Sequence, residues 1–159
     1  MPTSSAWTRV GVRHVYLIDT NVISEARKGE RANPGVRRFF GRVVRKGEDV
    51  FLSVVTVGEL RRGVDLTRHR GDTEQAEILE AWLTGILTDY DDSILNIDEE
   101  VAQVWGRLRV PHPENALDKQ IAATALIHEL IVVTRNDQLF GGTGVQVLNP
   151  FSEPPEAPG

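Results

Sequence analysis

The chain has 159 residues, 40% of them hydrophobic, and 18 Lys and Arg against 23 Asp and Glu give a formal net charge of −5. This composition builds one globular domain with a sizeable core and argues against a protein that grips nucleic acid by bulk positive charge. Without cysteine, disulfides and thiolate metal sites are excluded; His14, His69, His112 and His128 lack zinc-ligand spacing, and no apolar run matches a membrane span or signal segment, so a cytoplasmic location is expected.

Residues 1–14 are polar and irregular and read as a leader, with the fold and the native start expected at Val15. Val15-Tyr16-Leu17-Ile18 has a buried-strand pattern, and a short helix follows to Arg27. Asn33 and Pro34 supply an N-cap and a first-turn proline for a helix to about Lys46. A strand is expected over 50–53, then a helix over 54–70 with Val57, Leu60 and Val64 inward. Ile78, Leu79, Trp82, Leu83 and Ile86 recur at helical spacing within 73–87. A short strand over 93–97 precedes Asp98, which caps a helix carrying Val101, Val104, Trp105 and Leu108 and ending before Pro111. An alanine-rich helix over 116–129, a strand over 130–134, a Gly141-Gly142-Thr143-Gly144 turn and a strand over 145–148 complete the pattern. Residues 152–159 have the composition of a flexible tail. Strands alternating with helices predict an α/β domain over 15–151, with a mainly parallel central sheet and helices on both faces.

Charge is unevenly spread. Residues 27–70 hold 12 Lys and Arg against 5 Asp and Glu, whereas 72–100 hold 10 acids and no Lys or Arg. The first stretch suits a phosphate backbone and the second a basic partner, although solvated helix faces have the same composition. The faces around Leu79, Trp82, Leu83 and Ile86 and around Val101, Val104 and Trp105 suit either a core or an interface.

Four acidic or amide positions each end or follow an apolar run: Asp19, Glu59, Asp118 and the Asn136-Asp137 pair. At the carboxyl ends of parallel strands such side chains would converge, and a hard divalent cation is the natural reason to gather carboxylates that otherwise repel. Each has a plainer reading. Asp19, Thr20 or Asn21 caps the next helix; Glu59 pairs with Arg61 or Arg62; Asn115 and Asp118 form a capping arrangement; Asn136 and Asp137 belong to a turn.

The runs Leu-Ile-Asp-Thr-Asn-Val-Ile-Ser (17–24), Thr-Val-Gly-Glu-Leu-Arg-Arg-Gly-Val (56–64), Asp-Lys-Gln-Ile-Ala-Ala-Thr-Ala (118–125), Val-Thr-Arg-Asn (133–136) and Val-Leu-Asn-Pro-Phe (147–151) together resemble the PIN-domain toxins. The nearest group is the VapC/FitB-like ribonucleases of bacterial toxin–antitoxin pairs. The resemblance spans about residues 15–151 and implies a PIN-like α/β/α sandwich. It further implies a Mg²⁺- or Mn²⁺-dependent endoribonuclease acting as a toxin, a homodimer, and a cognate antitoxin that is small and DNA-binding. By position, Asp19, Glu59 and Asp118 match the first three acids of that family's site. The fourth departs from it: relatives commonly have Thr-Arg-Asp, or Thr-Arg-Asn with an Asp three residues on, whereas here Asn136 is followed by Asp137 and Leu139.

The expected chemistry is water attack on an RNA phosphodiester, with Asp19 and Asp118 as the principal metal ligands. Glu59 and Asn136 or Asp137 would orient the water or complete a second metal site. Thr20, Asn21 and Thr134 would support the acids, and Arg61, Arg62 and Arg135 would meet phosphate, inhibitor or only solvent. An aspartyl phosphatase would need an acid at Asn21, and no phosphate-binding glycine loop joins a strand to a helix. The remaining alternative is a catalytically degenerate PIN-like module that binds RNA or protein without cutting.

Overall fold

The computed structural model describes residues 14–152. All but one residue of the expected leader, and all but one of the expected tail, lie outside the described residues. Five strands form a single parallel sheet in the order β3-β2-β1-β4-β5. They are β1 (Val15–Ile18), β2 (Asp49–Ser53), β3 (Ile94–Leu95), β4 (Ile131–Val133) and β5 (Val147–Leu148). The connecting helices are α1 (Thr20–Ala26), α2 (Pro34–Lys46), α3 (Val54–His69), α4 (Thr73–Asp89), α5 (Glu99–Leu108) and α6 (Ala116–His128).

β1 lies at the centre, with Leu17 opposite Phe51 on one side and Val132 on the other. Its side chains are buried without polar alternation, as expected of a parallel strand covered on both faces. Successive side chains supply opposite layers. Tyr16 and Ile18 pack with Val22, Phe39, Leu60 and Leu83, whereas Leu17 packs with Ile121, Ala122, Val132 and Phe140. The first layer therefore lies under α1 to α4 and the second under α6, giving the α/β/α sandwich.

The caps expected of Asn33 and Asp98 form, and Ser53, expected only as a strand end, caps a third helix. The Asn33 side chain accepts hydrogen bonds from the amides of Gly35 and Val36, that of Ser53 from Val55, and that of Asp98 from Val101. Gly47 ends α2 in the left-handed region (φ 61°), where a side chain would be strained. Asn115 differs from expectation: it precedes α6 with φ 58° and its side chain makes no capping bond. The Lys119 ammonium and the Trp105 indole instead donate to the His112 and Ala116 carbonyls, pinning the chain that enters α6.

Other differences are at the ends of elements. α4 runs two residues past the expected 87, and β5 starts at Val147 because the Val145 amide is engaged by the Thr143 hydroxyl. Leu83 and Val101 are buried; Leu79, Trp82 and Ile86 pack against the core, so most of the α4 face is interior. Ile78, expected on that face, is 53% exposed.

Gly35 is demanded by close packing. A Cβ there would lie 1.8 Å from the Pro150 carbonyl oxygen, where the last turn crosses the start of α2. Gly35→Ala should cost about 1–3 kcal/mol, read as a lower denaturant midpoint at unchanged slope. An unchanged midpoint would mean that residues 150–152 move aside freely.

Candidate functional site

Asp19 follows β1 at the carboxyl edge of the sheet and is 4% exposed. Its own amide donates to the Val133 carbonyl (2.9 Å), continuing the ladder to β4, while the chain turns into α1. One carboxylate oxygen accepts the Thr20 amide (2.8 Å). The other accepts the Thr134 hydroxyl (2.8 Å) and the Asn21 side-chain amide (3.3 Å). Capping of α1 and placement at the sheet edge are thus one arrangement. Burial raises the Asp19 pKa and the three donors oppose that rise.

Glu59 arrives from the second turn of α3. Its carboxylate accepts the Thr20 hydroxyl (3.0 Å), and Thr20 is within 3.3 Å of the buried Thr56 hydroxyl. Glu59 therefore faces the sheet edge and does not pair with Arg61, whose guanidinium forms a two-pronged contact with Glu80 (2.9 and 2.7 Å). The Glu59 pKa is raised, first by burial and further by the Asp19 charge.

Asp118 lies in the first turn of α6, half-buried. Its pKa is pushed up to about 6, by burial first and then by the charges of Asp19 and Glu59. Three carboxylates from β1, α3 and α6 thus lie within Coulombic range of one another. Among the described residues no three such side chains meet closely enough to form a ready ligand cluster, so they face one another across a gap. Mutually repelling anions adopt such spacing.

At the fourth position, Asn136 is half-buried and its amide donates to the Thr134 hydroxyl (3.1 Å), the same hydroxyl that donates to Asp19. Asp137 is exposed at the start of a short 3-10 helix, Asp137–Phe140, and is not among the charges that shift the other three acids. Leu139, where relatives of the resembled family carry an acid, packs into the layer under α6. The backbone of Asn136 is thus tied through the Thr134 hydroxyl to Asp19, and no such tie reaches Asp137 among the described residues.

Asn21 ties the edge together, since its side-chain oxygen accepts the Arg135 amide (3.0 Å) while its amide group reaches Asp19. Asn149 donates to the Arg135 carbonyl, and the Arg135 guanidinium lies 5.0 Å from the Phe151 ring centre. Thr56 and Asn149 were not singled out by sequence. Both lie within the runs that carry the family resemblance, and Thr56, three residues before Glu59, also shares its helix face.

Thr134→Val keeps the shape but removes a donor to a buried carboxylate and an acceptor for the Asn136 amide. The loss should be about 1–3 kcal/mol in urea unfolding. A loss below about 0.5 kcal/mol would show that water takes over both contacts.

A groove of about 370 Å³ opens beside the cluster, lined among others by Thr20, Asn21, Glu25, Lys28, Glu59 and Trp82. The donor set of Asp19, Glu59 and Asp118 contains oxygen alone, and Asp118 is raised above its ordinary 3.8 by burial first and then by the charges of the other two. Both features fit a hard cation such as Mg²⁺ or Mn²⁺.

The PIN domain family matches residues 16–142. Toxin FitB of Neisseria gonorrhoeae is 36% identical over 144 residues, covering 87% of this chain and all of that protein. A VapC ribonuclease of Sinorhizobium fredii is 28% identical, covering 86% and 98% of the two chains. Among solved structures, FitAB bound to a DNA fragment superposes with a TM-score of 0.75 at 33% identity, covering 88% of this chain and 97% of that one. With the parallel sheet, the carboxylate edge and these likenesses in agreement, the chain belongs to the PIN-domain family.

Proposed function

We propose that the protein is the ribonuclease toxin of a toxin–antitoxin pair, hydrolysing RNA phosphodiesters at the Asp19–Glu59–Asp118 edge with Mg²⁺ or Mn²⁺. The observation that carries this reading is the convergence of three carboxylates from three separate elements, where Asp118, raised to about 6 by burial first, also feels the charges of Asp19 and Glu59. An edge of that kind stores repulsion that only a cation or protons relieve. Asp19 and Asp118, with Glu59 beside them, would hold the cation, which would supply polarisation of the phosphate and acidification of the attacking water.

The chain's own residues do the rest. Asp19 is held in a fixed orientation by Thr20, Asn21 and Thr134, whose hydrogen bonds oppose the rise in pKa that burial causes. The Thr20 hydroxyl holds one oxygen of Glu59, leaving the other to accept a proton from the attacking water. The neutral amide of Asn136 orients that water without adding charge. The groove past Thr20 and Glu59 gives a single strand access to the edge.

The antitoxin partner is supported by the likeness to FitB and to the FitAB complex on DNA. A homodimer is part of the same reading, and a monomer by light scattering at micromolar concentration would exclude it. No helix among the described residues is long and apolar enough to cross a membrane.

Purified protein should cut RNA with Mg²⁺ or Mn²⁺, stop on chelation and resume on adding either ion. A second reading, an RNA-binding module without cleavage, is favoured by one observation: Leu139 and Asn136 leave the fourth position without a carboxylate. RNA binding without cleavage under any divalent ion would establish it.

A further inference from the structure

We propose that the outer face of α2 is a phosphate track for single-stranded RNA, built on Arg37, Gly41 and Arg45; its RNA ligand rests on the ribonuclease reading. These residues lie four apart along one side of the helix, and Arg37 and Arg45 are separated by about 12 Å along its axis. With Pro34 and Arg38 they line a shallow cavity of about 410 Å³, and no acid is among the described residues that line it.

Among the described residues, no carboxylate forms an ion pair with Arg37 or Arg45. On α3, by contrast, Arg61 and Arg68 are both engaged by Asp65 and Glu80. Arg37 makes one hydrogen bond, from its guanidinium to the Glu30 carbonyl (3.3 Å), which leaves most of its fork for a ligand.

Arg37 sits near the N-terminal end of α2, where the helix dipole disfavours a cation. Dipole compensation accounts for Arg45 and Lys46 but not for Arg37. Gly41 is equally unfavourable by itself, costing about 1 kcal/mol within a helix. It fills no packing need, because a Cβ there would meet only the Arg45 guanidinium at 4.0 Å. A glycine between arginines leaves flat helix surface on which a phosphodiester chain can lie, gripped on either side by bidentate guanidinium contacts.

The N-terminal end of α2 is tied to the groove beside Glu59. The residue before α2, Asn33, donates its amide to Glu25 (2.9 Å), and Glu25 lines the groove beside Glu59. RNA leaving that groove would meet Arg37 first and Arg45 last. An acidic protein surface is the rival occupant.

The test measures binding of the full chain to a labelled single strand of about 20 nucleotides in chelator, across a salt series. Arg37→Gln/Arg45→Gln should weaken binding about tenfold near 100 mM salt and reduce the log–log salt slope by about 1.4, at about 0.7 per lost phosphate contact. Arg107→Gln on α5 should leave both unchanged, and no variant should melt below wild type. With Mn²⁺, cleavage of a trinucleotide, too short to reach α2, should continue at the wild-type rate in the double variant. Wild-type affinity and slope in a double variant that still cuts RNA would overturn the track and leave the nuclease reading standing. Loss of polyglutamate binding with RNA binding intact would overturn it in favour of an acidic protein partner. A wild-type protein that neither binds nor cuts RNA would overturn both readings.

Discussion

Asp19→Asn is expected to lower RNA cleavage by about 10²–10³-fold, the loss typical when a preorganised electrostatic group is removed. The substitution keeps the shape, so folding and chemistry can be separated. One carboxylate oxygen becomes an amide that donates where the native atom accepts. If that is the oxygen facing Thr134, the hydroxyl turns to accept, while the Asn21 amide is left opposed. This mismatch costs about 1–2 kcal/mol, offset in part because no charge is now buried. Initial rates with Mn²⁺, beside a thermal melt, read the two effects. Expression without antitoxin should slow growth for wild type and not for the variant. Cleavage within threefold of wild type would remove Asp19 from the mechanism. Asn136→Ala should fall further than Asp137→Asn, because Asn136 alone of the two is tied through Thr134 to Asp19.

Asp118→Asn should separate charge repulsion from helix capping. In the metal-free protein the folded-state pKa of Asp118 is about 6, above its ordinary 3.8, so the folded state binds the proton more tightly. Its contribution to stability is most favourable below about pH 4, is lost as pH rises towards 6, and remains lost above it. Allowing for screening at a half-buried group, the penalty at neutral pH is on the order of 1 kcal/mol. The variant should therefore melt about 2–4 °C higher than wild type at pH 7 without metal, and no higher near pH 4. Divalent cation should reverse the order. At a hundredfold excess over Kd, wild type should gain about 2.7 kcal/mol and the variant much less. Equal cation responses in the two proteins would reduce Asp118 to a residue of the first helical turn.

The legible parts of this fold were those with local causes. Ile18-Asp19-Thr20 marks the end of a strand and the start of a helix because a buried run meets a capping carboxylate, and Asn33-Pro34 and Ser53-Val54 mark boundaries in the same way. That Asp19, Glu59 and Asp118 would share an edge followed from strand-end logic and family resemblance. Their mutual repulsion depends on how α3 and α6 pack on β1, and it was not readable from spacing. The fourth position was ambiguous because Asn136 and Asp137 are both turn residues in sequence; only the 3-10 turn, with Leu139 and Phe140 packed inward, separates them. Asn115 looked like a helix cap, but its left-handed backbone and the Lys119 and Trp105 contacts depend on distant packing.

The ladder bond from the Asp19 amide to the Val133 carbonyl joins the first acid to the middle of the sheet. Local fraying cannot displace that carboxylate, because its backbone belongs to the most protected part of the chain. Amide hydrogen exchange at Asp19 should accordingly proceed only through global opening, and catalytic competence should vanish in denaturant at the same midpoint as the sheet. The lifetime of the active arrangement is then the lifetime of the folded domain itself.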